Sequence, residues 1–139
     1  MIDRTELLKA LPHGESMCLL DRVCNWDADS LKAQSTNVLT GNPLLVNGIF
    51  YPELCIEYAA QAAAVHLRLA QIHVFKESVA FVASVKKFEI LSHLPLSEVG
   101  PLEVHVRLNI ATTSACSYEF NACWNGELWT KGNLAIMAP

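Results

Sequence analysis

Charge is scarce in this chain. Of 139 residues, 17% are Asp, Glu, Lys or Arg, where about a quarter is usual, and 52% are apolar. That balance is incompatible with disorder, and a chain this short buries one core. Ten basic against fourteen acidic residues give a formal net charge of −4. No basic stripe is present, which argues against nucleic acid as a partner. A basic leader followed by a long apolar run is missing from Met1-Ile2-Asp3-Arg4-Thr5-Glu6. The most apolar stretch, 54–69, is interrupted by Glu57, Gln61, His66 and Arg68, so it is not a membrane span. The five cysteines form no C-x-x-C pair and have no Cys/His ligand spacing beside them; they read as reduced core thiols, with no metal and no cofactor expected. G-x-S-x-G, G-x-G-x-x-G, P-loop and H-E-x-x-H patterns are all absent. The expectation is a cytoplasmic protein of one domain, residues 1–139, with more apolar surface than one small domain can hide, hence a dimer or higher homo-oligomer.

What is present orders itself simply. Residues 3–10 predict a short amphipathic helix capped by Asp3 and stopped by Pro12, and His13-Gly14-Glu15-Ser16 a loop. Strands are expected at about 17–27 and 31–39, joined by the turn formers Asp27-Ala28-Asp29-Ser30. Gly41-Asn42-Pro43 and Asn47-Gly48 mark a loop leading into one long helix, from Pro52 to about His73. Its first half, Leu54 to Val65, is apolar on nearly every side and is expected to be buried all round, its alanines letting strands approach closely. The remainder reads as strands at 79–92, 102–112, 115–124 and 127–137, with Asn125-Gly126 as a two-residue hairpin turn. Leu102, Val104, Val106, Leu108 and Ile110 alternate with polar residues, predicting one packed and one wet side. The whole is an α+β pattern: an antiparallel sheet wrapped around one long central helix, the hotdog layout.

Glu57 is the first candidate for chemistry. A carboxylate in apolar surroundings costs several kcal/mol unless paired or protonated, so the expected state is a neutral carboxyl able to donate a proton. The alternative is a narrow solvent stripe shared with Gln61 and Arg68. Gln61, one turn on, shares the face of Glu57 and can bond to its carboxyl or be satisfied elsewhere. His66 lies nine residues past Glu57, about 900° of helix, on the opposite side. It reads first as a core or interface histidine. His13 sits in a loop abutting the first strand, and His105 on the wet side of its strand.

Two segments resemble the hotdog-fold 3-hydroxyacyl-[acyl carrier protein] dehydratases. Leu11-Pro12-His13 followed by Met17-Cys18-Leu19-Leu20-Asp21-Arg22-Val23 is similar to the family's opening signature, and Pro52 through Gln61, with Glu57 ahead of Ala59-Ala60-Gln61, to its central helix. The run Ile56 to His66 is closer still to the variant dehydratases of aryl-polyene pathways. One departure stands out. The family's histidine base belongs to a G-H-F-P loop about fourteen residues before the glutamate, where this chain has Asn42-Pro43-Leu44-Leu45. The glycine whose N–H would hold the thioester oxygen is Glu53 here.

The resemblance implies dehydration of a 3-hydroxyacyl thioester carried on an acyl carrier protein, with Glu57 as acid. Helix N-terminal N–H groups near Leu54 would polarise the carbonyl, Leu54 and Gln61 would bind the substrate, and a histidine would remove the α-proton. The candidates for that base are His13, then His66 from either subunit. An acyl-thioester hydrolase, in which Glu57 activates water, and a non-catalytic acyl-binding partner subunit remain as alternatives.

Overall fold

A computed structural model of the chain describes residues 1–10, 18–36, 38–39, 42–72, 81–91 and 101–137. His13, with the loop around it, and His73 and His93 lie outside the described residues. The elements run α1 (Arg4–Ala10), β1 (Arg22–Trp26), β2 (Ser30–Ser35), a 3-10 turn (Pro52–Leu54), α2 (Cys55–Leu69), β3 (Phe81–Ile90), β4 (Leu102–Ala111), β5 (Ala115–Trp124) and β6 (Glu127–Met137). The strands form one antiparallel sheet in the order β1-β2-β4-β5-β6-β3. α2 lies against the inner face, mainly on β4, β2 and β5.

Local chemistry explains most boundaries. Asp3 Oδ1 accepts the Glu6 N–H at 3.0 Å and so caps α1. Asp27 Oδ1 accepts the N–H groups of Asp29 and Ser30 and the Ser30 hydroxyl, closing the β1–β2 turn. Those bonds hold the Asp27 carboxyl below its ordinary pKa. Asn125 and Gly126 have φ of 49° and 83°, the paired left-handed conformations of a tight hairpin turn between β5 and β6. β2 ends at Ser35, four residues before the sequence pattern predicts, and α2 ends at Leu69. There Ala70 caps the helix and Gln71 turns left-handed, with φ of 54°.

The core is formed where the alternation predicts, with Leu102, Val104 and Val106 of β4 and Tyr118, Phe120 and Ala122 of β5 buried beneath Cys55, Tyr58, Ala59, Ala62 and Ala63 of α2. Two expectations need correction. Ile110 is 62% exposed, because a bulge between Leu108 and Ile110 reverses the alternation and pairs Ile110 with Ser117 on the outer face. Nor is α2 buried all round. Ile56, Glu57, Ala60 and Ala64 are half-buried and Arg68 is exposed, a partly open lane along one side of the helix.

The buried thiols predict an alkaline limit to stability. Burial pushes Cys55 up to about 12 and Cys116 to about 11 from an ordinary 9.0, and raises Cys18 as well. Folded-state values above unfolded ones mean that the native state keeps protons the unfolded chain has lost. Stability is therefore fully present below about pH 9 and falls as pH rises towards 11–12. Urea unfolding at about pH 8 and about pH 10.5 is expected to differ by up to about 4 kcal/mol from Cys55 and Cys116 together. A flat profile, or early reaction of Cys55 with a thiol reagent in the folded protein, would contradict this.

Candidate functional site

α2 is launched by a 3-10 turn. Pro52 has a fixed φ and no N–H, which suits the first helical position, and Phe50 anchors the incoming chain between Tyr58 and Trp129, with ring centroids 5.5 and 5.7 Å away. The tight turn decides which amides are free. The Leu54 N–H donates to the Tyr51 carbonyl at 3.0 Å, and the Cys55 N–H turns inward to Pro52. The Leu54 amide, expected to polarise a substrate carbonyl, is therefore occupied. Among the described residues no backbone carbonyl takes the N–H of Glu53, whose side chain is exposed.

Glu57 stands in the first turn of α2, half-buried on the partly open lane beside Ile56 and Ala60. Its carboxylate makes no ion pair among the described residues. Gln61 does not join it. The Gln61 side chain is buried on the other flank, where its Oε1 accepts the Leu19 N–H at 2.9 Å. The Leu19 carbonyl accepts the Ser35 hydroxyl at 2.6 Å, so helix and β2 grip one residue of the segment entering β1. Gln61 thus ties the opening segment to the helix instead of bonding to Glu57.

His66 is fully buried. Its Nδ1 lies 2.7 Å from the Tyr118 hydroxyl and its Nε2 2.9 Å from the Asp27 carbonyl. A carbonyl only accepts, so Nε2 carries the hydrogen and Nδ1 accepts from Tyr118. Within its own chain both ring nitrogens are engaged, on the side of α2 away from the Glu57 lane. His105 is exposed on the outer face, as its strand position predicts, and burial against the sheet together with Lys32 keeps its pKa below the ordinary value.

Sequence reasoning did not assign Asn42 a task. Its Nδ2 donates to the Val38 carbonyl at 3.0 Å and to the Tyr58 hydroxyl at 2.8 Å, while its Oδ1 accepts the Leu44 N–H at 3.0 Å. This amide closes the loop ahead of α2 and fastens it to the residue after Glu57. Burial raises the Tyr58 pKa, so the phenol stays neutral. Only the turn-forming Asn-Pro pair hinted at such a role; the partner, sixteen residues away, left no local signal.

A model of the ApeP-like family, described as ApeP dehydratase, matches residues 5–139. No curated protein matches the chain. Among solved structures, the dehydratase heterocomplex ApeI:P of Xenorhabdus doucetiae superposes with a TM-score of 0.79 at 20% identity, over 96% of this chain and 90% of that one. A thioesterase mutant from Pseudomonas aeruginosa gives 0.69 at 13%, over 97% and 92%. A hypothetical thioesterase with coenzyme A from Streptococcus pneumoniae gives 0.63 at 8%, over 85% and 84%. At these identities the likeness is one of fold, and the fold is the hotdog.

Proposed function

The chain belongs to the ApeP-like family of dehydratases, and from that premise we propose that it dehydrates a 3-hydroxyacyl thioester held on an acyl carrier protein, with Glu57 as the general acid. The observation that carries this reading is a half-buried carboxyl in the first turn of α2 that makes no ion pair among the described residues, four residues from a helix-start amide that no backbone carbonyl among them accepts. The Glu53 N–H takes over the carbonyl-polarising role from Leu54, since an amide acts there whatever side chain it carries. A histidine removes the α-proton, the C–O bond at the third carbon breaks as the double bond forms, and Glu57 gives its proton to the departing hydroxyl, which leaves as water. Proton return from the base to Glu57 through solvent resets the site.

The base is His13 or is supplied by another subunit. Among the described residues β3 is a ten-residue edge strand paired with β6 alone, and the Ile56–Glu57–Ala60–Ala64 lane is partly open, so both are suited to a second chain. The ApeI:P structure is a complex of two different chains, which is why the second chain is here either a copy or a different hotdog subunit. No helix among the described residues is long and apolar enough to cross a membrane.

The hydrolase alternative needs no α-proton base, and Glu57 would then activate water. One assay separates the readings. The protein is mixed with 3-hydroxyacyl-carrier protein, and conjugated enoyl product and free thiol are both followed. Enoyl formation without thiol release is expected. Thiol release identifies a hydrolase, and tight carrier binding with neither product identifies a non-catalytic partner subunit.

A further inference from the structure

Between Tyr58 and Val65, α2 is alanine throughout except at Gln61. An alanine offers one methyl, so the ridges of this stretch are shallow and resist rolling against the sheet only weakly. Polar bonds from the helix to other elements supply the setting that methyls do not. Among the described residues three side chains of α2 make them. Tyr58 bonds to Asn42 at 2.8 Å, Gln61 to the Leu19 N–H at 2.9 Å, and His66 to Tyr118 and the Asp27 carbonyl at 2.7 and 2.9 Å. At 3.6 residues per turn, Tyr58 stands about 100° round the helix from Glu57, and His66 about 180°. Gln61 stands only about 40° round and about 6 Å further along, which makes it the anchor on the flank of Glu57 itself.

The far end of that bond is itself held. The Leu19 carbonyl accepts the Ser35 hydroxyl at 2.6 Å, the Leu20 carbonyl accepts Arg4 Nη1 at 3.1 Å, and the Asp21 N–H donates to the Gln34 carbonyl at 2.9 Å. Gln61 and Ser35 are 1% and 2% exposed, so water does not compete for either bond. Through Gln61 the helix is therefore fixed to β2, a strand of the sheet it packs on.

We propose that Gln61 is a positioning residue for the reaction: its bond to Leu19 sets the roll of α2 and so aims the Glu57 carboxyl at the substrate. This rests on Glu57 being the acid. Gln61 moves no proton; it holds the helix that carries the one that does. A reacting group displaced by about 1 Å can lose about 10²-fold in rate, and a loose roll forfeits that much.

Gln61→Met keeps the length and the apolar stem of the side chain and removes its amide. With 3-hydroxyacyl-carrier protein, and rates taken per folded molecule, it is expected to lower kcat about 10–100-fold and leave KM within about threefold. In a Glu57→Gln background the same change is expected to alter kcat by less than about threefold, because the acid it aims is gone. Equal losses in both backgrounds overturn the proposal, since the residue then acts without Glu57. A raised KM at the parent kcat overturns it in favour of a substrate contact, and unchanged kinetics overturn it outright. The roll is also read without turnover, by placing Ala64→Cys on the lane and following its reaction with a maleimide by peptide mass. Adding Gln61→Met is expected to change that rate at least about threefold, and an unchanged rate means that the helix has not moved and the proposal fails. Parent-like turnover in Glu57→Gln alone overturns the acid and its aiming together. The Ala64→Cys rate still shows whether Gln61 sets the roll, so the two failures are told apart. Should Gln61→Met not fold, Ser35→Ala, which loosens Leu19 from β2, takes its place under the same criteria.

Discussion

Replacing Glu57 by Gln is expected to lower the dehydration rate by about 10²–10⁴-fold while leaving the fold and its melting temperature unchanged. Gln matches the glutamate in shape and still hydrogen-bonds, but it has no proton to give to a leaving hydroxyl. The stability half of the prediction rests on placement. Glu57 is half-buried on a partly open lane and forms no ion pair among the described residues, so its loss strands no charged partner among them. The two halves must be read together, by single-turnover enoyl formation and by thermal unfolding of the same preparation. Activity within tenfold of the parent would remove Glu57 from the chemistry. A large fall in stability would instead assign it a structural role. The substitution also separates the dehydratase from the acyl-binding reading, because a subunit that only binds keeps its carrier affinity and has no turnover to lose.

What could be read in the sequence was what neighbours in sequence decide. The Asp3 cap, the Asp27 turn, the Asn125-Gly126 hairpin and the bounds of β5 and β6 all follow from contacts within a few residues. Errors arose where distant parts decide. Period two places Ile110 in the core, and it fails where a bulge inserts one residue. Composition predicts full burial for the alanine-rich half of α2, because it says how greasy a helix is, not how many of its sides the sheet reaches. Glu57 and Gln61 share a face on a helical wheel, yet Leu19, 42 residues from Gln61 in sequence, draws the amide away. The Leu54 amide is taken because a 3-10 start, unlike an α-helical one, uses it at once.

His66→Ala is expected to lower stability by about 3–5 kcal/mol, a fall in melting temperature of about 10 °C or more. The imidazole joins three elements: α2 carries it, β5 supplies Tyr118 and the β1–β2 turn supplies the Asp27 carbonyl. Its removal leaves a cavity and strands the Tyr118 hydroxyl, which is fully buried and costs about 1–3 kcal/mol when unpaired. Tyr118→Phe takes away only one end of the bond and is expected to cost about 1–2 kcal/mol. Because the two residues share one bond, the double variant should fall short of the sum of the singles by about 1 kcal/mol. Nitrogen-15 spectra of the imidazole give a second readout, with the hydrogen expected on Nε2. The same variants decide whether this histidine has a place in the chemistry. With both nitrogens bonded inside its own chain, His66 has no lone pair to offer an α-proton, and the milder Tyr118→Phe perturbs that site without deleting it. Turnover per folded molecule is therefore expected to be equal in the parent, Tyr118→Phe and His66→Ala, measured well below the lowest melting temperature. A selective loss of turnover in His66→Ala, with folded fraction held constant, would restore His66 as the base and require the Asp27 and Tyr118 bonds to break in the assembled enzyme.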